Sequence, residues 1–499
     1  MSERQSFPLS GDPIKMNAVH VVGERAAPGL TRRDALKQAG VVLAVALAAP
    51  NSFTAPRRAK KVIVAGGGIA GLCCAYELVQ RGHDVTVLEA SGRTGGHVLT
   101  AHDPFADGLY ADLGAELCTD PGYEIYRGYV KTFGLKLLPY RRRDNLLRFI
   151  GKKPYTEEML GDRKVLAGFG FNQREIDFLA SHEWPQLPLL FFGPYLDKFT
   201  DEYQPFGVGF DDLDNISVTE FLQRERASAT AIHFAGSTTG SALHRLWFYA
   251  IMKHRRRRIF DKDIFRIEGG NQRLTDAFAA KLGARVRLGC PIKRIEHNAS
   301  GVTIHFRDVD KDKTLEAEYL VNTIPLPMLA SIPVEPAWPE EKLWVIKNVS
   351  YGMQTRVVFQ CRTRFWKKEG ISPNISMEHS SLEDVWECAT EVAGDRGILI
   401  GNASPGTTAA QALEAFHAHY PGKASDIEQV LVKDWFRESW APVCERNFFR
   451  VGQLAKFWPN IIRAVGRIHF AGAYADNNHH GMEAATRSAH RVAGGIDEA

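Results

Sequence analysis

The chain has 499 residues, 44% of them hydrophobic, which is enough for two globular domains of ordinary size. Its 62 lysines and arginines nearly balance 58 aspartates and glutamates, and a net charge of +4 excludes the strongly basic profile of a dedicated nucleic-acid binder. The seven cysteines (Cys73, Cys74, Cys118, Cys290, Cys361, Cys388 and Cys444) are odd in number, and their spacing fits neither a disulfide scaffold nor a metal site. Structural packing is the default role for all of them, and no metal is expected.

Residues 1–57 stand apart from the rest. Thr31-Arg32-Arg33-Asp34-Ala35-Leu36-Lys37 precedes an alanine-rich apolar run from Ala39 to Ala49 and a polar Pro50-Asn51-Ser52 exit. The run is too short to span a bilayer and has the proportions of a targeting segment behind a basic start. The paired arginines resemble a twin-arginine export signal, a route that carries chains already folded around a cofactor. Delivery to the periplasm by that export machinery is the expectation, with an ordinary amphipathic helix as the alternative.

Lys61-Val62-Ile63-Val64-Ala65 then reads as a buried strand running into Gly66-Gly67-Gly68-Ile69-Ala70-Gly71, a G-x-G-x-x-G turn. Leu72, Cys73, Cys74, Ala75, Leu78 and Val79 continue as a helix. A second strand, Asp84-Val85-Thr86-Val87-Leu88, ends on Glu89, 18 residues after Gly71. Each piece has a physical task in binding a dinucleotide. Gly66 makes the tight turn, Gly68 admits the pyrophosphate to the backbone, and Gly71 lets the helix pack on the sheet. Ile69 and Ala70 open the helix whose N-terminus faces the diphosphate, and Glu89 accepts from a ribose hydroxyl.

Ala90-Ser91-Gly92-Arg93-Thr94-Gly95-Gly96-His97 follows directly. A nicotinamide enzyme has no evident need for a second glycine-rich basic loop here, whereas a larger cofactor folded back along the domain does. Arg93 suits a diphosphate, and Gly95-Gly96 would bring the backbone close to the cofactor. Asp112-Leu113-Gly114-Ala115-Glu116 is a further close-approach loop.

Further along, residues 126–262 and 336–455 are richer in aromatics and proline, as in Trp184-Pro185, Phe191-Phe192 and Tyr203-Gln204-Pro205-Phe206. The dense basic cluster Lys253-His254-Arg255-Arg256-Arg257-Arg258 admits three readings: a solvated surface, a basic rim near an anionic substrate, or a face for nucleic acid or anionic lipid. No zinc-finger spacing, helix-turn-helix pattern or repeat accompanies it, and no nucleic-acid partner is expected. Val286-Arg287-Leu288, Val302 to Phe306 and Ile468 to Ala471 are short strand-type runs. Gly481 to Val492 has the periodicity of a helix, with Met482, Ala485, Ala489 and Val492 on one face. Its N-terminus could stabilise negative charge on a reduced flavin ring.

These segments together resemble the flavin-dependent amine oxidase superfamily, which includes monoamine, polyamine and L-amino acid oxidases and is related to carotenoid-type desaturases. The resemblance spans roughly residues 60 to 495. Beyond the loops above it rests on Arg266-Ile267-Glu268-Gly269-Gly270-Asn271-Gln272, Pro291-Ile292-Lys293-Arg294-Ile295, Tyr319-Leu320-Val321-Asn322-Thr323-Ile324-Pro325 and Ile468-His469-Phe470-Ala471-Gly472-Ala473-Tyr474, then Gly481-Met482-Glu483-Ala484-Ala485. It implies an α/β fold. A Rossmann-like FAD-binding domain would be assembled from discontiguous segments 58–125, 263–335 and 456–499. A mixed α+β substrate-binding domain would take 126–262 and 336–455. It also implies FAD as cofactor, with Ile292 by the adenine, Gly472 by the central portion and the backbone of Met482 near the pyrimidine end.

Three positions depart from the family pattern. Ser331 stands where a lysine contacts a water beside the flavin, His97 replaces an arginine after the paired glycines, and Tyr474 falls at or beside the place of an acid. His479 and His480 precede the flavin-facing helix, and either could handle a proton near neutrality or contact substrate; loop structure is the alternative. Trp440 and Phe448 lie where the family builds an aromatic cage, with core packing as the alternative. For a carboxylate-bearing substrate, Arg245 and Arg437 are the nearest arginines to consider.

The expected function is hydride transfer from an amine or amino acid to FAD, giving an imine, with oxygen, a quinone or an electron carrier as acceptor. A flavin desaturase or dehydrogenase for an apolar substrate is the second reading, and a flavin-binding module without turnover the third. A homodimer is compatible with each.

Overall fold

In the computed structural model, the described residues are 58–499 apart from 236–238, 353, 378–380, 445–447 and 479. The export segment, residues 1–57, and His479 therefore lie outside the described residues.

Val62, Ile63, Val64 and Ala65 have no exposed surface, and their strand, Lys61–Ala65, is the centre of a five-stranded sheet. The strands lie in the order Val286–Arg287, Asp84–Leu88, Lys61–Ala65, Tyr319–Asn322 and Ile468–Phe470, all parallel. Burial on both faces explains why these runs are continuously apolar rather than alternating. Ala65 pairs with Leu88 on one side and Asn322 on the other, so the C-terminal ends form one edge. In open parallel sheets this is the edge where ligands bind. The helix Ile69–Gln80 starts there and buries Leu72, Cys73, Cys74, Ala75 and Leu78.

The last helix packs along that first one, with Met482, Ala485, Ala489 and Val492 in the shared core. It runs to Glu498, past the end at Val492 that the apolar spacing suggests. Gly494 and Gly495 do not stop it, because Ile496 beyond them is fully buried and Lys60 Nζ ties down the Asp497 carbonyl at 3.2 Å. A short helix, Glu124–Thr132, also docks on it: the Glu483 carboxylate accepts from Tyr126 N at 2.9 Å and Ile125 N at 3.2 Å. Residues 126–132, which the composition groups with the substrate region, thus belong to the nucleotide side.

A seven-stranded mixed sheet is built from Leu147–Ile150, Lys153–Thr156 and strands between Thr355 and Asp434. Helices between Arg163 and His254 carry the largest buried aromatics, Phe191, Phe192 and Trp247 among them. One apolar core connects these with Ile63, Ala65 and Leu88 of the parallel sheet. All seven cysteines are free, and six are buried.

Candidate active site

The glycine turn divides into positions that pack against protein and one that does not. Gly66 has φ +108°, and a Cβ there would come within 2.5 Å of Thr323 Oγ1. A Cβ on Gly71 would overlap the Gly66 carbonyl oxygen and lie 2.9 Å from Thr323 Oγ1. Gly71 therefore seats the helix on the strand and does not line the cavity described below. Gly68 differs: its φ is −72°, no side chain caps the helix it begins, and a Cβ would meet nothing nearer than 3.9 Å. Space is left over this helix N-terminus.

That space is the start of a cavity of about 1290 Å³. Gly66, Gly68, Ile69 and Ala70 form its floor, with Glu89, Ala90 and Arg93 beside them. Glu89 is fixed by Gly67 N, which donates to Oε2 at 2.6 Å, and by Ser91 N and Oγ, which donate to Oε1 at 2.8 and 2.7 Å. An ionised carboxylate has further acceptor sites, so a ribose hydroxyl can still be served. The second glycine loop lies against the first: Gly95 N donates to the Gly67 carbonyl at 2.9 Å, and Gly95 and Gly96 have φ +102° and +59°. Arg93 donates to the Gly96 carbonyl at 2.7 Å, which holds the guanidinium at the cavity wall.

His97, Gly114, Ala115 and Glu116 continue the lining. Ala115 N donates to the His97 carbonyl at 3.1 Å, joining the two loops. Burial first, then the positive charges of Arg356, Arg93 and Lys433, hold the His97 imidazole down at about 3, so it is neutral. Its Nε2 is buried without a hydrogen-bond partner among the described residues. An open cradle at Gly68 and an unpartnered buried nitrogen at His97, on one continuous cavity, fit an adenine-linked flavin along this path. Ile292 lines the cavity on the Glu89 side, next to Cys290 and Pro291.

At the other end the lining comprises Gly472, Tyr474, Gly481, Met482, His480, Trp440 and Phe448. Gly472 takes φ +142°, where a Cβ would press on the Tyr474 ring at 2.8 Å. The Tyr474 hydroxyl accepts from Asn322 Nδ2 at 3.0 Å, so this residue, at the place of the family's acid, ties down the end of a central strand. No side chain caps the helix that begins at Gly481. His480, Phe248 and Phe448 form a ring cluster with centroids 5.6 and 5.2 Å from Phe248, whereas Trp440 is 46% exposed, at the cavity margin. Ser331 also lines the wall, its hydroxyl donating to the Met328 carbonyl at 2.7 Å.

The arginines were the part least anticipated by sequence. Arg245 and Arg437 do not line the cavity. Arg245 lies over the Phe448 ring at 4.2 Å, and Arg437 is on the surface facing Asp434 at 3.5 Å. Arg142, Arg143, Arg257 and Arg356 line it instead, with Tyr123 and Tyr351. The run Arg141-Arg142-Arg143 was the local signal that could have found two of them. Glu116 pairs with Arg142 and lies 3.6 Å from Arg356. Asp384 is 3.4 Å from Arg142, whose guanidinium stacks 3.6 Å from the Trp386 ring. Glu116 is thus engaged by protein cations rather than presented free to a cofactor. The basic cluster divides by position. Lys253 faces Asp197 at the surface, Arg255 is fixed by Glu202 at 2.8 Å, and Arg257 enters the cavity.

Known proteins resemble the chain over most of its length. It is 26% identical over 462 residues to an L-amino-acid oxidase of Siganus canaliculatus, covering 88% of this chain and 85% of the relative. An L-amino-acid oxidase of Demansia vestigiata is 24% identical over 476 residues, covering 90% and 89%. Among solved structures, putrescine oxidase bound to putrescine aligns with TM-score 0.74 and 21% identity, over 89% of this chain and all of that one. Cyclohexylamine oxidase from Brevibacterium oxydans aligns with TM-score 0.71 and 20% identity, over 88% and 99%. These two show the shared fold, a Rossmann-like region of the FAD-binding type with a substrate-binding sheet. Residues 69–496 match the family described as flavin containing amine oxidoreductase, and the chain belongs to that family.

Proposed function

We propose that the chain binds FAD along this cavity and uses it to oxidise the carbon–nitrogen bond of an amine or amino acid, releasing an imine. The observation that carries this reading is the continuity of the cavity. It starts at the dinucleotide cradle of Gly66, Gly68 and Glu89 and ends at the uncapped N-terminus of the last helix, beside Gly481 and Met482. Gly66 to Ala70, Arg93, Gly95, Gly96 and His97 would hold the diphosphate portion, Ile292 the adenine, and Gly472, Tyr474, Gly481 and Met482 the redox-active end. When bound, the flavin supplies the hydride acceptor.

The chain's own residues then have three tasks. The helix N-terminus at Gly481 favours negative charge in front of it. Phe448, Tyr351 and Trp440 cover the compartment and exclude water from the reacting carbon. His480, adjoining Gly481 in the same wall, is suited to take the proton that the substrate nitrogen must lose. The four arginines in the lining argue against the desaturase reading, since an apolar substrate would leave buried cations without a partner. Oxygen is the acceptor we favour, with re-oxidation slowed by the hydroxyl of Ser331 in place of a cation. The paired arginines and apolar run before residue 58 support export of the folded, flavin-loaded chain to the periplasm.

The test is anaerobic. Purified yellow protein mixed with a panel of amines and amino acids should lose its flavin band near about 450 nm, and peroxide should appear when air is admitted. Bleaching only by an apolar alkene or alcohol would replace this reading with the desaturase one.

A further inference from the structure

Arg142 and Arg143 are consecutive, yet they serve different walls of the cavity. Arg142 turns to Glu116, Asp384 and the Trp386 ring, and Arg356 joins it there, donating to Asn402 Oδ1 at 2.5 Å and the Gly114 carbonyl at 3.2 Å. At that wall two guanidinium groups face two carboxylates, so the charge is balanced. Arg143 turns the other way, over the Phe260 ring at 4.4 Å, and its hydrogen bond goes to the backbone carbonyl of Asp261. Arg257 meets it from the strap that follows the helix Ala242–His254, stacked 5.4 Å from the ring of Tyr123.

The second wall is not balanced. Arg257 makes no hydrogen bond among the described residues, and its Nε and Nη1 are buried. Asp261 is the acid nearest this pair, and neither arginine has an ion pair with it within 4 Å among the described residues. Two cations against one acid leave one unit of positive charge facing the cavity. Burial, together with the like charges of Arg257 and Arg148 and against the pull of Asp261, pushes the Arg143 guanidinium down to about 10. An anion placed between the two would relieve that strain. The pair is also next to the site of chemistry: a Cβ on Gly481 would overlap the Tyr123 hydroxyl, so Tyr123 alone separates Arg257 from the start of the last helix.

We propose that Arg143 and Arg257 form a carboxylate-binding subsite, so that the amine oxidised here carries a carboxylate rather than being a simple alkylamine or arylamine. This rests on the reading of the cavity as an amine-oxidising site and adds the feature that selects its substrate. Two guanidinium groups suit the planar, two-oxygen face of a carboxylate, and desolvation by Phe260 and Tyr123 strengthens each charge-assisted bond.

The test uses the FAD-loaded enzyme and anaerobic flavin reduction, comparing an amino acid with the amine that lacks its carboxyl and with its amide. The wild type should reduce fastest with the acid. In Arg257→Gln and Arg143→Gln the ratio of kcat/KM for the acid to that for the amine should fall by about 10- to 100-fold, with part of it restored in Arg257→Lys. Glutamine keeps the Cβ–Cγ stem that packs on Gly122, which protects folding. An unchanged ratio in both variants, or a wild-type preference for the uncharged amines, overturns the subsite while leaving amine oxidation standing. If no amine reduces the flavin, the broader reading fails on its own. Titration with succinate then decides the subsite separately: a flavin absorbance change that weakens in Arg257→Gln supports it, and no change overturns it. A dicarboxylic amino acid preferred over a monocarboxylic one, with the preference lost in Arg257→Gln, assigns the pair to a distal carboxylate. Equal rates assign it to the one beside the amine.

Discussion

Trp435 lies over His97 with ring centroids 4.0 Å apart, while its indole Nε1 donates to the Leu113 carbonyl at 2.7 Å. One side chain from the end of the seven-stranded sheet thereby fixes two loops of the nucleotide side, and presses a neutral imidazole into the cavity wall. His97→Phe keeps the stack and removes the unpartnered Nε2. We expect the FAD dissociation constant to rise about 3- to 10-fold, the worth of one neutral hydrogen bond. Fluorescence titration of the apoprotein checks this, and an unchanged constant would remove His97 from the cofactor contacts.

The glycine turn predicts two opposite outcomes from one kind of substitution. Gly68→Ala adds a methyl to open space at an ordinary φ, so the apoprotein should fold normally and bind FAD at least 10-fold more weakly, an order-of-magnitude expectation for a crowded phosphate site. Gly71→Ala drives a methyl into the Gly66 carbonyl and Thr323, and should lower the apparent Tm of the apoprotein itself. Calorimetry with and without FAD separates the two. Equal destabilisation by both would mean that Gly68 is only a packing glycine.

Ser331→Lys places a cation on the cavity wall where the wild type has a hydroxyl bound to the Met328 carbonyl. A positive charge there should favour electron transfer to oxygen and speed re-oxidation of the reduced enzyme. Stopped-flow mixing of dithionite-reduced protein with aerated buffer reads this directly. An unaltered rate would show that the serine does not limit oxygen use.

Much of this arrangement could be read from the chain alone, where function depends on short local patterns. Gly66, Gly68, Gly71 and Glu89 act within one strand–turn–helix–strand unit, and their spacing is set by that unit. The helix at Gly481 was visible for the same reason. The arginine walls were not. Arg142 and Arg143, Arg257 and Arg356 come from three distant segments, and nothing local distinguishes a guanidinium aimed at a cavity from one aimed at water. Arg245 and Arg437 had similar neighbours in sequence and turned elsewhere. The end of the last helix was also underestimated, because burial of Ile496 outweighs the weak helix preference of Gly494 and Gly495.

Glu483 gives a pH signature. Burial pushes its carboxyl up to about 7, against the hydrogen bonds donated by Tyr126 N and Ile125 N. Its ordinary value is 4.5. Between pH 4.5 and 7 the native chain keeps a proton that the unfolded chain has released, so this group makes stability fall as pH rises through that window. The full effect is at most about 3 kcal/mol. In Glu483→Gln the apparent Tm should lose that part of its decline between pH 4.5 and 7. A parallel pH profile in both proteins would mean the carboxyl titrates normally.

The most direct measurement is an anaerobic titration of the purified, FAD-reconstituted protein with amino acids and their descarboxy amines, followed by the flavin spectrum. Full bleaching in proportion to added substrate, with one equivalent of imine-derived carbonyl per flavin, is the predicted result. A protein that stays colourless with excess FAD, or a bound flavin that no amine reduces, would contradict the account.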